Sequence, residues 1–349
     1  MSPTPHEIVI RKKGGFDRLA LEPVARRALR AGQVRIAVAA IGVNYADAMV
    51  RKGLYKNADK YVGLPITPGF EVAGRVVEVD PTVTDLAVGD EVFAVTLFGG
   101  YTTELVVDRR LVFPRPAGWT AEQAAAFPSV FMTAWFALFE LAHPRPGATL
   151  LVHSAAGGVG SALVQLGRIA GARVVGVVGA THKVEIARAL GCDEVIDKSR
   201  QDLWKEAERI APRGYDVILD ANGPSTLKQS YDHLAPIGRL VIYGFHAMMK
   251  QTTSGRPDWI RLALDFLRTP RFSPFELTER NRSVMAFNLS DLFERQDILA
   301  DAMRDLLGWV AEGRIAPPQT TLFPMAEVAR AHEAIESGRT TGKLVLVTA

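Results

Sequence analysis

The stretch His153-Ser154-Ala155-Ala156-Gly157-Gly158-Val159-Gly160 constrains this chain more than any other. It follows a short apolar run, Thr149 to His153, and opens a helical pattern, Val159 to Ala170. Glycines at such a turn let the backbone come close to a pyrophosphate. The first N–H groups of the helix and the positive end of its dipole then face the anion. Gly160 allows the helix to pack closely on the strand. Glycines alone are a weak signal; placed at a strand-turn-helix junction they mark a dinucleotide site.

The residues that follow keep the alternation. Arg173 to Val178 reads as a second buried strand, Lys183 to Leu190 as a helix and Glu194 to Asp197 as a strand. Helix Asp202 to Ile210, strand Tyr215 to Asp220, helix Pro224 to Leu234 and strand Arg239 to Tyr243 complete the series. Strand and helix in turn predict a parallel sheet covered on both faces. An NAD site places an acid about 20 residues after the glycines, on the ribose 2′-OH. Here the second strand ends Val178-Gly179-Ala180-Thr181-His182-Lys183, and the first acid is Glu185, inside the next helix. A lysine at that place suits a 2′-phosphate, and Lys198 after the third strand adds a second positive charge. The expected cofactor is NADPH.

The first third is different. Glu7 to Arg11, Val34 to Val43, Glu71 to Val79, Glu91 to Val95, Tyr101 to Val107 and Leu111 to Pro114 read as strands. Turn residues such as Pro68-Gly69 and Gly99-Gly100 punctuate them, which predicts an irregular β-barrel. Two helices, Arg295 to Ala311 and Met325 to Ser337, and a last strand, Lys343 to Val347, close the chain. That last strand is expected to return to the first domain's sheet. A length of 349 residues fits two domains at roughly 150 residues each.

Composition excludes several classes. Hydrophobic residues make up 48% and charged residues 23%, as in soluble globular proteins. A net charge of +3 without a basic block excludes nucleic acid as the expected partner. The single cysteine, Cys192, forbids an internal disulfide and a cysteine zinc cage, and fits a reducing cytoplasm. Met1 to Gly15 has no apolar core of a secretory signal. Gln123 to Phe139 carries no charge, but Pro128, Ser129 and Thr133 interrupt it, and it reads as a buried linker and core helix. The seven histidines are scattered, and His332-Glu333-Ala334-Ile335-Glu336 misses the HExxH zinc motif and reads as an exposed helix face. No metal site is expected. Ser154 lies in the glycine loop rather than in a nucleophile elbow, and His153, ending a buried strand, reads as structural.

These residues resemble the medium-chain dehydrogenase/reductases, in the zinc-free quinone oxidoreductase branch and, within it, the VAT-1-like proteins. Pro68-Gly69-Phe70-Glu71, Gly74 and Val88-Gly89-Asp90-Glu91-Val92 look like that family's GroES-like domain. Zinc alcohol dehydrogenases carry GHE where this chain has Gly69-Phe70-Glu71, and a cysteine ligand where it has Asn44. The four-cysteine zinc lobe is missing too, so zinc chemistry is excluded on two counts. Ala155-Ala156-Gly157-Gly158-Val159-Gly160 and the long stretch after Tyr243-Gly244, through Trp259 to Leu267, Asn281-Arg282 and Phe287-Asn288-Leu289, carry the VAT-1 likeness.

The resemblance implies an α/β fold: a GroES-like β-barrel over residues 1–125 and 292–349, and a Rossmann doubly wound sheet over 126–291. It implies cofactor contacts from Asn44 and Thr133 at the nicotinamide and from Ala156, Gly157, Gly158, Val159 and Gly160 at the pyrophosphate. Gly179, Lys183 and Lys198 would hold the adenosine ribose and its phosphate, with Lys198 where relatives have tyrosine. Asn222, Gly244, Phe245 and Phe287 would line the rest. A homodimer joined near Val284 to Phe287 is expected.

The activity that follows is zinc-independent reduction of a quinone or an α,β-unsaturated carbonyl by NADPH, in a cleft between the domains. Tyr45 and Tyr55 are the polar aromatics that would donate to the acceptor oxygen, or else form the wall of an apolar pocket. Asp47 reads as a structural acceptor. An enoyl-thioester reductase remains open; it needs a basic channel for a coenzyme phosphate. An alternative of another class is an NADPH-binding scaffold of low turnover that docks on membranes or partners. Its sequence feature is Arg256 to Arg271, where Trp259, Ile260, Leu264, Phe266 and Leu267 lie among arginines.

Overall fold

A computed structural model describes residues 4–246 and 252–348. Residues 1–3, part of the segment read for a secretory signal, and residues 247–251, part of the stretch read as VAT-1-like, lie outside the described residues. The chain forms two compact units.

The first unit comprises the chain up to residue 129, residues 252–257, and the chain from 317 on. It starts with a hairpin-like pair, β1 (His6–Val9) and β2 (Ala20–Pro23). Then come β3 (Gln33–Val43), α1 (Tyr45–Lys52), α2 (Lys56–Tyr61), β4 (Glu71–Val79), β5 (Glu91–Val95), β6 (Glu104–Asp108), β7 (Val112–Pro114) and α3 (Ala121–Ala125). Alternation explains the strands. In β3, Ile36, Val38 and Ala40 point inward while Ala37 and Ala39 are exposed. Ile36 and Val38 join Val72, Val76, Val92 and Leu105 in one core. Gly74 is required: a Cβ there would come within 2.0 Å of the Ala37 carbonyl across the strand pair.

The second unit holds residues 130–246 and 258–316. After α4 (Pro128–Trp135) and a π-helical turn (Phe136–Ala142) come β8 (Thr149–Val152), α5 (Gly158–Ile169), β9 (Arg173–Val178) and α6 (Val184–Leu190). β10 (Glu194–Asp197), α7 (Leu203–Ile210), β11 (Tyr215–Asp220), α8 (Leu227–Asp232) and β12 (Leu234–Ile242) follow. α9 (Trp259–Arg268), α10 (Pro274–Arg280), β13 (Ser283–Ala286) and α11 (Gln296–Ala311) complete it. The six strands pair in the order β10-β9-β8-β11-β12-β13, every pair parallel. Order reverses at β8, the switch point where such sheets bind ligands.

The chain then returns to the first unit as β14 (Thr320–Pro324), α12 (Val328–Glu336) and β15 (Lys343–Val347). β15 pairs antiparallel with β3, so the closing strand does rejoin the first sheet, whose order is β14-β15-β3-β4-β5-β7 with β6 also on β3.

The units divide at other places than the expected 125/126 and 291/292. The first boundary falls after Ser129, and residues 292–316 belong with the parallel sheet. Side-chain packing explains the second difference. Trp309 on α11 packs against Phe139 at 5.2 Å, Trp135 Nε1 donates to Asp305, and Gln165 on α5 accepts from the Ala316 N–H. No helix among the described residues is long and apolar enough to cross a membrane. Gln123 to Phe139 is α3, α4 and the start of the π-helical turn, and nearly all of it is buried or half-buried.

Candidate functional site

In the second unit the site is the glycine loop after β8. Ser154 adopts a left-handed backbone (φ 57°) and its carbonyl accepts from the Gly157 N–H at 2.8 Å. Ala155 donates to Val177 on β9, which ties the loop to the sheet. Gly157 caps α5, leaving Gly158, Val159 and Gly160 as its first three residues. Their N–H groups have no helical carbonyl a turn back, so they suit an anion. A Cβ on Gly160 would meet the Ser154 carbonyl at 2.1 Å, so helix and loop touch only because this residue has no side chain.

The loop between β9 and α6 holds the predicted phosphate residues. Gly179 faces the Lys198 side chain, whose Cε would lie 3.6 Å from a Cβ there. Lys183 is mostly buried, not the solvated residue its position at a helix start would suggest; burial, and then the charge of Lys198, lower its pKa. Two ammonium groups that repel each other, one after β9 and one after the neighbouring β10, suit a dianion. Asp197 ends β10 beside them, but its carboxylate accepts from the Thr181 and Ser199 hydroxyls at 2.7 and 2.5 Å.

A buried polar knot lies beyond the loop. Asp220, at the end of β11, accepts from the Asn222 and Gly223 N–H groups and from the Thr226 and Ser230 hydroxyls. His153 meets Ser230 at 3.1 Å through Nε2, while its Nδ1 is buried without a partner. The structural role read for His153 is therefore satisfied on one side only. Asn222 Nδ2 is also buried without a partner. Gly244 follows β12, and Phe245 lies over Gly223, where a Cβ would be 2.8 Å from its ring. Phe287 extends β13 and packs on Phe136 at 4.8 Å. Thr133 is half-buried on α4. Open N–H groups, a cradle that a Cβ would fill and an orphaned amide fit a dinucleotide.

In the first unit the site is the turn from β3 into α1. Asn44 caps α1, and its amide is held in one orientation. Nδ2 donates to Glu71 Oε1 at 2.8 Å, and Oδ1 accepts from Lys343 Nζ at 2.5 Å; a carboxylate cannot donate and an ammonium cannot accept. Lys343 also pairs with Glu71 at 2.7 Å, both almost fully buried, and Glu71 Oε2 takes the Ser129 N–H. An ammonium thus sits against the two residues at and beside the places where zinc enzymes keep ligands. Among the described residues no group of three or more His, Cys, Asp or Glu can hold a metal ion.

Tyr45 is half-buried, and burial with the charge of Glu336 pushes its hydroxyl well above the usual phenol range. It stays protonated and is a donor at neutral pH. Tyr55 packs edge-on against Phe70 and Phe98 at 6.1 and 6.2 Å, an aromatic wall. Asp47 is fully buried and accepts from the Asn44 and Gly69 N–H groups and from Tyr101 Oη. Burial pushes its carboxyl up to about 7 against the pull of those donors and of Lys343.

One sequence reading is corrected. His332 and Glu336 do not lie on an exposed face of α12; both are buried, and Glu333 between them is exposed. The reason is α1, which presents Arg51 and Lys52 to that face. Glu336 pairs with Arg51 and, at 2.8 Å, with Lys52. Glu71, Lys343, Arg51, Lys52 and Tyr101 were all missed. The available signal was the spacing of His332 and Glu336, four apart on a helix and therefore on one face.

Comparison with known proteins agrees with this construction. The family description "Alcohol dehydrogenase GroES-like domain" matches residues 30–117, and "Zinc-binding dehydrogenase" matches residues 190–346. The synaptic vesicle membrane protein VAT-1 homolog of Rattus norvegicus is 34% identical over 343 residues, 97% of this chain and 83% of the relative. The Escherichia coli quinone oxidoreductase, solved in complex with NADPH, superposes with a TM-score of 0.83 at 26% identity, covering 98% of this chain and 99% of that one. CurK enoyl reductase gives a TM-score of 0.85 at 27% identity, covering 99% of each chain. The fold is therefore a GroES-like domain with a Rossmann-type parallel sheet, and the chain belongs to the medium-chain dehydrogenase/reductase superfamily, in the branch of the VAT-1 homologs and the quinone oxidoreductases.

Proposed function

We propose that the chain is a zinc-independent oxidoreductase that uses NADPH to reduce quinones or α,β-unsaturated carbonyl compounds. The observation that carries this is the lysine pair beside Gly179, where the neighbouring Asp197 carboxylate already accepts from Thr181 and Ser199. Bound NADPH supplies a hydride. The N–H groups of Gly158, Val159 and Gly160, with Ala156 and Gly157, hold the pyrophosphate; Lys183 and Lys198 hold the 2′-phosphate beside Gly179. Asn222, Gly244, Phe245 and Phe287 line the rest of the cofactor, and Asn44 and Thr133 are each assigned a nicotinamide contact. Tyr45, protonated at neutral pH, donates a hydrogen bond to the acceptor oxygen, and Tyr55 is the second candidate donor. The E. coli neighbour's complex with NADPH, and the quinone and enoyl reductase names of the structural neighbours, support the cofactor and the acceptor class.

The test is NADPH oxidation against a panel of quinones and enones, with Tyr45→Phe and Tyr55→Phe beside the wild type. At least one acceptor should be reduced, and Tyr45→Phe should lower kcat more than KM. A folded wild type that oxidises NADPH with no acceptor contradicts the reading. The dimer contact is assigned to β13, the edge of the parallel sheet. Sedimentation should give twice the chain mass; a monomer at micromolar concentration contradicts the assignment.

A second reading rests on α9. None of its residues is buried; Ile260 is 78% exposed and Leu267 77%, with Arg261 and Arg268 on the same helix. In this reading the protein is an NADPH-binding scaffold that docks on anionic membranes through α9. Co-sedimentation with phosphatidylserine vesicles at low salt should then be lost with Ile260→Glu/Leu267→Glu. No binding by the wild type removes this reading.

A further inference from the structure

Four side chains of the first unit that the proposed reaction leaves unused form one buried chain. Arg51 Nε lies 3.4 Å from His332 Nδ1, His332 Nε2 lies 3.2 Å from Tyr101 Oη, and Tyr101 Oη lies 3.0 Å from Asp47 Oδ2. Arg51, His332, Tyr101 and Asp47 are each fully buried. They come from α1, from the turn before β6 and from α12, so only the folded first unit assembles them.

One proton arrangement satisfies every link. A guanidinium only donates, so His332 Nδ1 is bare and accepts. The neutral imidazole then carries its proton on Nε2 and donates to Tyr101. Tyr101 spends its own proton on Asp47. Burial, with Arg51 and Lys52 close by, holds His332 neutral and pushes it down to about 3. Arg51 cannot turn away. Its other nitrogens donate to the Gly14 and Gly255 carbonyls at 3.0 Å and to Glu336, and its guanidinium lies over the Phe16 ring. Every donor in the chain therefore points toward Asp47.

The far end of the chain is the site. Asp47 Oδ2 takes the Asn44 N–H at 2.8 Å and Oδ1 takes the Gly69 N–H at 2.9 Å. Asn44 ends the β3 turn, and Gly69 precedes Phe70, part of the aromatic wall with Tyr55. One carboxylate thus ties the segment that leads into Tyr45 to the segment whose Phe70 packs on Tyr55. We propose that Asp47, Tyr101 and His332 are positioning residues for the reduction, which hold Asn44 and the Gly69-Phe70 turn in register with each other through a directed hydrogen-bond chain anchored on Arg51. This rests on the reading that the site reduces an acceptor.

Asp47 is faced by the Asn44 and Gly69 N–H groups, by Tyr101 and by the charge of Lys343; the charge of Glu71 raises the Tyr101 pKa and that of Arg51 lowers it. Tyr101→Phe removes one donor from the carboxylate and strands the His332 Nε2–H. The experiment measures NADPH affinity and the pH profile of kcat for the wild type, Tyr101→Phe and Val76→Ala, a core variant away from the chain. For Tyr101→Phe the expected result is an NADPH Kd within about twofold of wild type, a kcat lower by roughly 10-fold or more, and an acid limb moved to higher pH. Val76→Ala should lower Tm and leave both the kcat and the limb in place. A wild-type kcat and limb in Tyr101→Phe overturns the inference, as does the same change in Val76→Ala. If Tyr101→Phe does not fold, His332→Gln, which can still donate to Tyr101, should retain more kcat than His332→Leu; equal values overturn the inference. A wild type that binds and oxidises no NADPH instead overturns the functional reading on which it rests.

Discussion

In the second unit the site is built from backbone close together in sequence: the loop from Ser154 to Gly160 and the turn from Gly179 to Lys183. In the first unit it is built from buried side chains far apart in sequence: Asn44 with Glu71 and Lys343, and Asp47 with Tyr101 and His332. A backbone cradle needs small residues at fixed places and little else. A side-chain network needs every partner present, because a buried polar group left unpaired costs about 1–3 kcal/mol and a buried charge more. The two halves should therefore break in different ways.

The largest effect is expected at Glu336. It is buried against both Arg51 and Lys52, so Glu336→Leu leaves two cations without their carboxylate. The loss of stability should be about 3–5 kcal/mol. Chemical denaturation measures it, and a loss below about 1 kcal/mol would show that the first unit tolerates a missing partner. Gly160→Ala is the matching change in the second unit. Its new methyl collides with the Ser154 carbonyl, so the loop must shift where the pyrophosphate is assigned. NADPH affinity should fall by roughly 100-fold, about 2.7 kcal/mol, by calorimetric titration. Unchanged affinity would mean that the cradle is not used.

How much of this the sequence carried follows the same line. The glycine loop, the strand-helix alternation after it and the placement of Lys198 by Gly179 and within electrostatic reach of Lys183 are legible, because each depends on residues near one another in the chain. So is the return of Lys343–Val347 to the first sheet, which a β-branched strand after two helices suggests. The buried face of α12 was not legible. His332 and Glu336 look like a solvated polar pair until α1 is known to present Arg51 and Lys52 to them. Lys343 was read only as the start of a strand, because nothing local shows that its ammonium reaches Asn44 and Glu71. Residues 292–316 fall on the other side of the expected boundary for a related reason: Trp309 and Asp305 are anchored by partners at 139 and 135.

Acid separates the halves more gently. His153, fully buried in the second unit, has a pKa lowered by burial. Below about pH 6.5 the unfolded chain binds a proton there more readily than this folded group does, so stability falls as pH drops through that range. In the first unit His332 acts the same way, but Asp47 opposes it. Its folded carboxyl, raised to about 7, takes a proton that the unfolded one takes only near 3.8. The second unit should therefore lose stability faster than the first between pH 6.5 and 5. Hydrogen exchange at the two pH values reads each unit separately. Equal loss of protection in both would break this part of the comparison.

The central claim is that the lysine pair beside Gly179 selects a phosphorylated dinucleotide. The most direct test is a titration of the purified protein with NADPH and with NADH, followed by tryptophan fluorescence, for the wild type and for Lys183→Ala. The account predicts tighter binding of NADPH by about 10-fold or more, with the preference lost in Lys183→Ala and NADH affinity unchanged. Equal affinity for the two cofactors in the wild type, or no binding of either by the folded protein, would contradict it.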